Sequence, residues 1–187
     1  MIDIGLKEWA IVCDLLLEGS LAILLRKGGI HELGGPGVFE LEHPRFVLFP
    51  SWAHQRPEMI KESVRDRVQV LAEPAEIPLP GVGHAAKIWQ IPSREAFDKL
   101  DDLHPWTQAQ VDMRFNYKPQ NPIYVMAVRA WRLPQVKVVK NYAEYAGCKS
   151  WVPFRPEDEV DDSRLIPAMS DEAFERIVKR VDEAMKG

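Results

Sequence analysis

The stretch from Asn121 to Arg132 constrains the fold of this chain more than any other. Ile123, Tyr124, Val125, Met126, Ala127 and Val128 follow one another without a polar break. A strand built from them is apolar on both faces and needs cover on both sides. Such a run reads as the central strand of a sheet. Around it the chain does not alternate strand and helix regularly, so a doubly wound parallel sheet is not expected. Short strands in hairpin-like succession favour an α+β fold, with a mixed or mostly antiparallel sheet or partial barrel flanked by helices.

The remaining elements follow from periodicity and punctuation. Leu6, Trp9, Ala10, Cys13, Leu16 and Leu17 recur at helical spacing and predict an amphipathic helix over 4–18, closed by Gly19 as a left-handed cap. Ser20 to Arg26 predicts a buried strand, Val38 to Glu42 a second and Phe46 to Phe49 a third. Pro57 opens a helix expected to run to Ala72, with Ile60, Val64 and Val68 on its inner face. A loop carrying Pro74, Pro78 and Pro80 then leads to a strand from Ala85 to Ile91. Ser93 caps a helix to Leu103, and Thr107 with Gln110 makes a capping box for a helix over 108–116. Val136 to Val139 and Gly147 to Val152 read as further strands. Residues 155–169 read as an acidic surface linker, and Ser170 caps a closing helix. The expected organisation is one domain over 1–154, with the linker and C-terminal helix of 155–187 packed on it.

Charge is distributed unevenly. The net charge of −4 divides into −5 over 1–103, +5 over 104–154 and −4 over 155–187. A basic middle between acidic ends suits a local anion site and argues against indiscriminate polyanion binding. The alternative is that the three segments interleave in space and the field averages out. The apolar runs fall far short of the roughly 20 residues of a membrane span. The N-terminal Met-Ile-Asp-Ile-Gly does not read as a signal peptide. The two cysteines, Cys13 and Cys148, suggest no disulfide framework, so a reducing cytoplasmic setting is expected.

Four clusters carry candidate chemistry. In the first, Arg26 and Lys27 leave a strand and meet Gly28 and Gly29, a turn where side chains and backbone amides would converge on an anion. Neither the P-loop nor the dinucleotide spacing is present, and no cofactor is expected. The second cluster sets Glu42 and His43 before the Phe46 strand and His54 after it. A carboxylate beside histidine is the pairing of general-base catalysis, which makes these three the catalytic candidates. Their spacing matches no zinc signature, so no metal is expected.

The third cluster gathers His104, Trp106, Arg114, Tyr117 and Lys118 around the capped helix, with aromatics and cations interleaved as in sites that stack a base beside a phosphate. The fourth is Cys148 beside Lys149, either a reactive thiol or a small core residue next to an anion-binding cation. For each cluster the plainer reading is a solvated turn, a structural hydrogen bond or core packing.

Several of these motifs together resemble the domain-of-unknown-function 1802 family of bacterial proteins. The likeness rests on Leu6-Lys7-Glu8-Trp9-Ala10, Leu25 to Ile30, Phe39 to Pro50, His54-Gln55, Arg114 to Pro119, Asn121 to Leu133 and Gly147 to Trp151. It spans about residues 4–153 and implies no activity. A fainter architectural likeness is to barrels of the pseudouridine-synthase-and-archaeosine-transglycosylase and ASC-1-homology type, which implies binding of RNA or modified bases. The leading expectation is a module that recognises RNA, single-stranded nucleic acid or a nucleotide. Arg26, Lys27, Gly28, Gly29, His104, Trp106, Arg114, Tyr117, Lys118 and Lys149 would line its site. The alternatives are a metal-independent phosphodiesterase or ribonuclease-like hydrolase and a protein-interaction module.

Overall fold

The computed structural model describes residues 1–27, 43–147 and 149–186. In chain order the elements are β1 (Ile4–Trp9), α1 (Ala10–Glu18), β2 (Ile23–Arg26), β3 (Arg45–Ser51), α2 (Glu62–Arg65), β4 (Glu76–Gln90), α3 (Arg94–Asp98), α4 (Gln108–Asn116), β5 (Tyr124–Lys140), β6 (Trp151–Pro153), β7 (Ile166–Pro167) and α5 (Asp171–Met185). The strands form one mixed sheet in the order β2-β5-β4-β3-β1-β6, with β7 beside β5. Only β1 and β3 pair in parallel among the described strands. The sheet curls into a half-barrel, and the fold is α+β.

The curl starts in the ladder between β4 and β5, strands of 15 and 17 residues. Their register slips between Leu79 and Gly81 and again between Ala85 and Lys87. Each slip bends the strand and increases its twist, which lets a long pair wrap instead of lying flat. The central apolar run lies in β5, where Val125, Met126, Ala127 and Val128 are buried. α1 packs on β3 and β5 and presents Ile11, Val12, Cys13, Leu15 and Leu16 to a core shared with Leu6, Leu24, Phe46, Leu48 and Val82. Burial pushes the Cys13 thiol well above its ordinary pKa, so it is an inert core residue.

Several expectations change in the folded chain. Residues 4–9 are strand, not the first turns of a helix, because pairing with β3 on one side and β6 on the other satisfies their backbone. Over so short a stretch the periods of 2 and 3.6 both fit, and Gly5 is the local signal against helix. The helix expected over 57–72 shrinks to a 3-10 turn at Pro57–Met59 and the single turn of α2. There Ile60 bridges Trp106 in extended pairing, and Lys61 donates its N–H to the Pro105 carbonyl.

Pro78 and Pro80 lie inside β4 and not in a loop. The register slip at Leu79/Gly81 accommodates the N–H that Pro80 lacks. Val136–Val139 is the far half of β5 and no separate strand. The acidic segment is tied down. Val160 bridges Ile2, Asp158 accepts a 2.7 Å bond from the Tyr145 hydroxyl, and β7 pairs with Trp131 and Arg132. The strand expected at Val38 to Glu42 lies outside the described residues, as do Gly28, Gly29, Glu42 and Cys148. No helix among the described residues is long and apolar enough to cross a membrane.

Gly19 closes α1 as the sequence suggests, at φ 76°, with its N–H on the Leu16 carbonyl. A Cβ there would lie 2.4 Å from the Ala168 oxygen. Gly19→Ala is therefore expected to lose at least about 1–2 kcal/mol of stability from the left-handed backbone alone, measured as a lowered midpoint in urea unfolding.

Candidate functional site

β1 and β3 run parallel, so their C-terminal ends lie side by side. The half-barrel curl brings the end of β2 towards them. β2 is one edge of the sheet and β1 stands next to the other edge, yet Arg26 at the end of β2 forms an ion pair with Glu8 of β1. Both side chains are largely buried, at 12% and 16% exposure. The pair spans the mouth of the half-barrel and forms the floor of a cleft of about 310 Å³.

Each wall of the cleft is held by hydrogen bonds. Lys7 donates to the carbonyls of Tyr145 (2.6 Å) and Gly147 (3.1 Å), which ties residues 145–147 to one side of the cleft. Opposite, the Glu73 carboxylate accepts from the Ser51 hydroxyl and from the Ala53 N–H at 3.1 Å. These bonds shape the turn that carries His54. His54 is exposed and sits at φ 68°, a left-handed backbone that non-glycine residues seldom adopt. Lys149 stands at the rim and donates to the Glu144 carbonyl.

Arg114 enters the cleft from α4. Burial pushes its pKa down; the Glu8 carboxylate opposes that shift and the Arg26 guanidinium adds to it. Two guanidiniums thus share one carboxylate, and among the described residues no hydrogen bond or ion pair holds Arg114. A desolvated cation without a partner is costly, and a carboxylate or phosphate would relieve it. A smaller recess adjoins the cleft, formed by Glu8, Trp9, Arg26, Arg114, Trp106 and Gln110 among others.

Among the candidates named from sequence, the fold brings Arg26, His54, Arg114 and Lys149 to one cleft. The other described candidates do not line it. Trp106 is 6% exposed, with its ring in the core and at the recess, so it has no free face for a base. Lys27 donates to the Phe115 carbonyl at 2.6 Å. His43 packs edge-on to Trp151, 5.1 Å between ring centroids. Tyr117 and Lys118 are exposed against one another beyond the end of α4. His104 is buried and stacks on Phe97, 4.9 Å between centroids.

Sequence reasoning missed Glu8, Trp9, Ser51, Glu73 and Gln110 as site residues. The signal for Glu8 and Trp9 was a charge and an indole at the start of the apolar run that continues to Cys13. Ser51 and Glu73 stand far apart in sequence and carry no such signal. Among the described residues no three His, Cys, Asp or Glu side chains are grouped to hold a metal ion.

A curled mixed half-barrel with a cationic cleft at its strand ends defines the class. Within it, residues 5–180 match the family model described as Domain of unknown function (DUF1802), and the chain belongs to that family. No curated protein matches it. Among solved structures it is similar to ASCH from Zymomonas mobilis, with 12% identity over 83% of this chain and 89% of that one, at a TM-score of 0.48. A point mutant of the same protein gives 10% identity over 84% and 94%, at a TM-score of 0.46. TM-scores below 0.5 leave the functional reading to this chain's own side chains.

His104 makes its own measurable contribution. Burial and then Lys61 push its pKa down to about 4, and its Nδ1 has no hydrogen-bond partner among the described residues. An unfolded histidine titrates near 6.5, so between about pH 6.5 and 4 the unfolded chain takes up a proton that the folded chain refuses. Stability is full above about pH 6.5 and falls as the pH drops towards about 4, by about 3 kcal/mol in all. In urea unfolding at a series of pH values, His104→Phe should flatten that fall.

Proposed function

We propose that the cleft at the ends of β1, β2 and β3 recognises a nucleotide or a short single-stranded nucleic acid. Arg114 carries this reading. It is a half-buried guanidinium that no hydrogen bond or ion pair holds among the described residues, and it shares the Glu8 carboxylate with Arg26, which is ion-paired to it. The planar fork of arginine matches phosphate oxygens two at a time, and a partly dry site strengthens the bond. Lys149 at the rim adds a second positive charge. Trp9, half-buried at the end of β1, supplies an aromatic surface on which a base can stack, the role that buried Trp106 cannot fill. The volume of about 310 Å³ falls at the lower end of small-molecule sites, about 300–1,000 Å³, and suits one nucleotide unit. The basic segment 104–154 contributes both Arg114 and Lys149. The net charge of −4 speaks against a wide duplex-binding face.

A hydrolytic version of the same site has one observation in its favour. His54 stands exposed in the cleft on a strained backbone, and such strain clusters at functional positions. In that version His54 is the general base and Arg114 stabilises charge developing on phosphate. An RNA-cleavage assay in chelator separates the two versions: cleavage lost in His54→Ala supports hydrolysis, and unchanged cleavage rejects His54 as the base.

For recognition, fluorescence anisotropy with labelled single-stranded RNA and DNA is the direct test. Arg114→Gln is expected to weaken binding at least about tenfold, the scale of one charge-assisted contact. Lys149→Gln should weaken it less and lower the salt slope by about one. No binding at low salt, or binding indifferent to Arg114→Gln, rejects the reading.

A further inference from the structure

Gln110 is an unusual residue to find buried. It is 1% exposed, and its Oε1 has no hydrogen-bond partner among the described residues. Buried amides are almost always paired, because an unpaired one forfeits its water without replacement. Its place in the sequence offers an obvious partner that it does not use. Gln110 is the third residue of α4, where a capping box would send its side chain back to the N–H of Thr107. That N–H instead donates to the Met59 carbonyl at 3.0 Å. Half of the box forms, with the Gln110 N–H on the Thr107 hydroxyl at 3.4 Å, and the amide is left to the recess.

A second orphan borders the same recess. The Arg26 Nε is buried and has no hydrogen-bond partner among the described residues, although its guanidinium forms the ion pair with Glu8. The recess therefore offers an unpaired acceptor on Gln110 and an unpaired donor on Arg26, bordered by Trp106 and Trp9. Its volume of about 30 Å³ takes one or two non-hydrogen atoms, not a ring. The group that fits is the polar edge of a planar ring whose body stays in the cleft. Glu8, Trp9, Arg26 and Arg114 border both spaces, so a ligand held by phosphate at Arg114 has its ring within reach of the recess.

We propose that the Gln110–Arg26 recess reads the Watson–Crick edge of an unpaired nucleobase. This rests on the cleft being a nucleotide site and names what that site selects. A donor next to an acceptor is what such an edge presents, and a carboxamide is the side chain that reads one in both senses. In a duplex that edge is already paired, so the partner is a free nucleotide or a single strand.

Isothermal titration with the four nucleoside 5′-monophosphates and with ribose 5-phosphate tests the two layers separately. In the wild-type protein at least one nucleotide should bind about tenfold tighter than ribose 5-phosphate, the scale of one good base contact. In Gln110→Met, a substitution of similar length without polar atoms, that ratio should fall to near one. Because an orphaned amide is removed, the Tm of Gln110→Met should equal or exceed the wild-type value. Gln110→Glu, which keeps the acceptor and loses the donor, should change which base is preferred.

A ratio unchanged in Gln110→Met, or a wild-type ratio already near one, overturns the inference while leaving phosphate recognition intact. A lowered Tm in Gln110→Met overturns it too, because the amide then serves the fold. Failure of ribose 5-phosphate and every nucleotide to bind rejects the cleft reading itself, and the inference falls with it.

Discussion

The antiparallel ladder between Glu76–Gln90 and Tyr124–Lys140 governs where everything else can lie. It is the longest pairing in the sheet, and two register slips bend it where a flat ribbon would otherwise form. On its outer edge β5 takes β2 and then β7, while β4 takes β3 and, through it, β1 and β6. Because the ladder curls, α1 fits the concave side and covers the apolar residues of β3 and β5. A flat sheet would leave the two ends of the strand order far apart. The curled one brings Glu8 and Arg26 into contact across its mouth.

That contact sets the electrostatics of the cleft. Among the described residues one carboxylate faces two guanidiniums there, and partial burial lowers the pKa of Arg114. Of the two, Arg26 is the one held in an ion pair among the described residues, which leaves Arg114 as the cation the proposed site rests on. Arg114 is carried by α4, whose first turn is capped by Thr107 and whose neighbours Ile60 and Trp106 are locked in a β-bridge. The same bridge takes the Thr107 N–H out of the capping box and leaves the Gln110 Oε1 without a partner among the described residues. Cation and amide are thus two consequences of how one short helix is seated.

Legibility in the sequence varied with the range of the cause. The Gly19 cap, the Ser93, Thr107 and Ser170 N-caps and the buried run in β5 were readable, because each depends on neighbours a few residues away. The strand at residues 4–9 and the one-turn α2 were not, since pairing with β3, β6 and Trp106 decided them. For the site, the cations Arg26, Arg114 and Lys149 were readable as candidates from their charge and company. Trp106 and His104 have the same polar and aromatic character in sequence, yet packing against Phe97 and the core removes them from the cleft.

By itself the sequence determined the class of fold, the buried run of an interior strand and the helix caps. Patterns of burial and capping act over a few residues, and residue identity sets them directly. Only the tertiary structure decided that Arg26, and not Arg114, would form the ion pair with Glu8, and that the Gln110 Oε1 would be buried without a hydrogen-bond partner among the described residues. Those outcomes depend on the curl of the sheet and the seating of α4, which bring together residues about 20 to 100 positions apart. No local pattern encodes such a meeting, because each hydrogen bond is won or lost in competition with groups from distant segments.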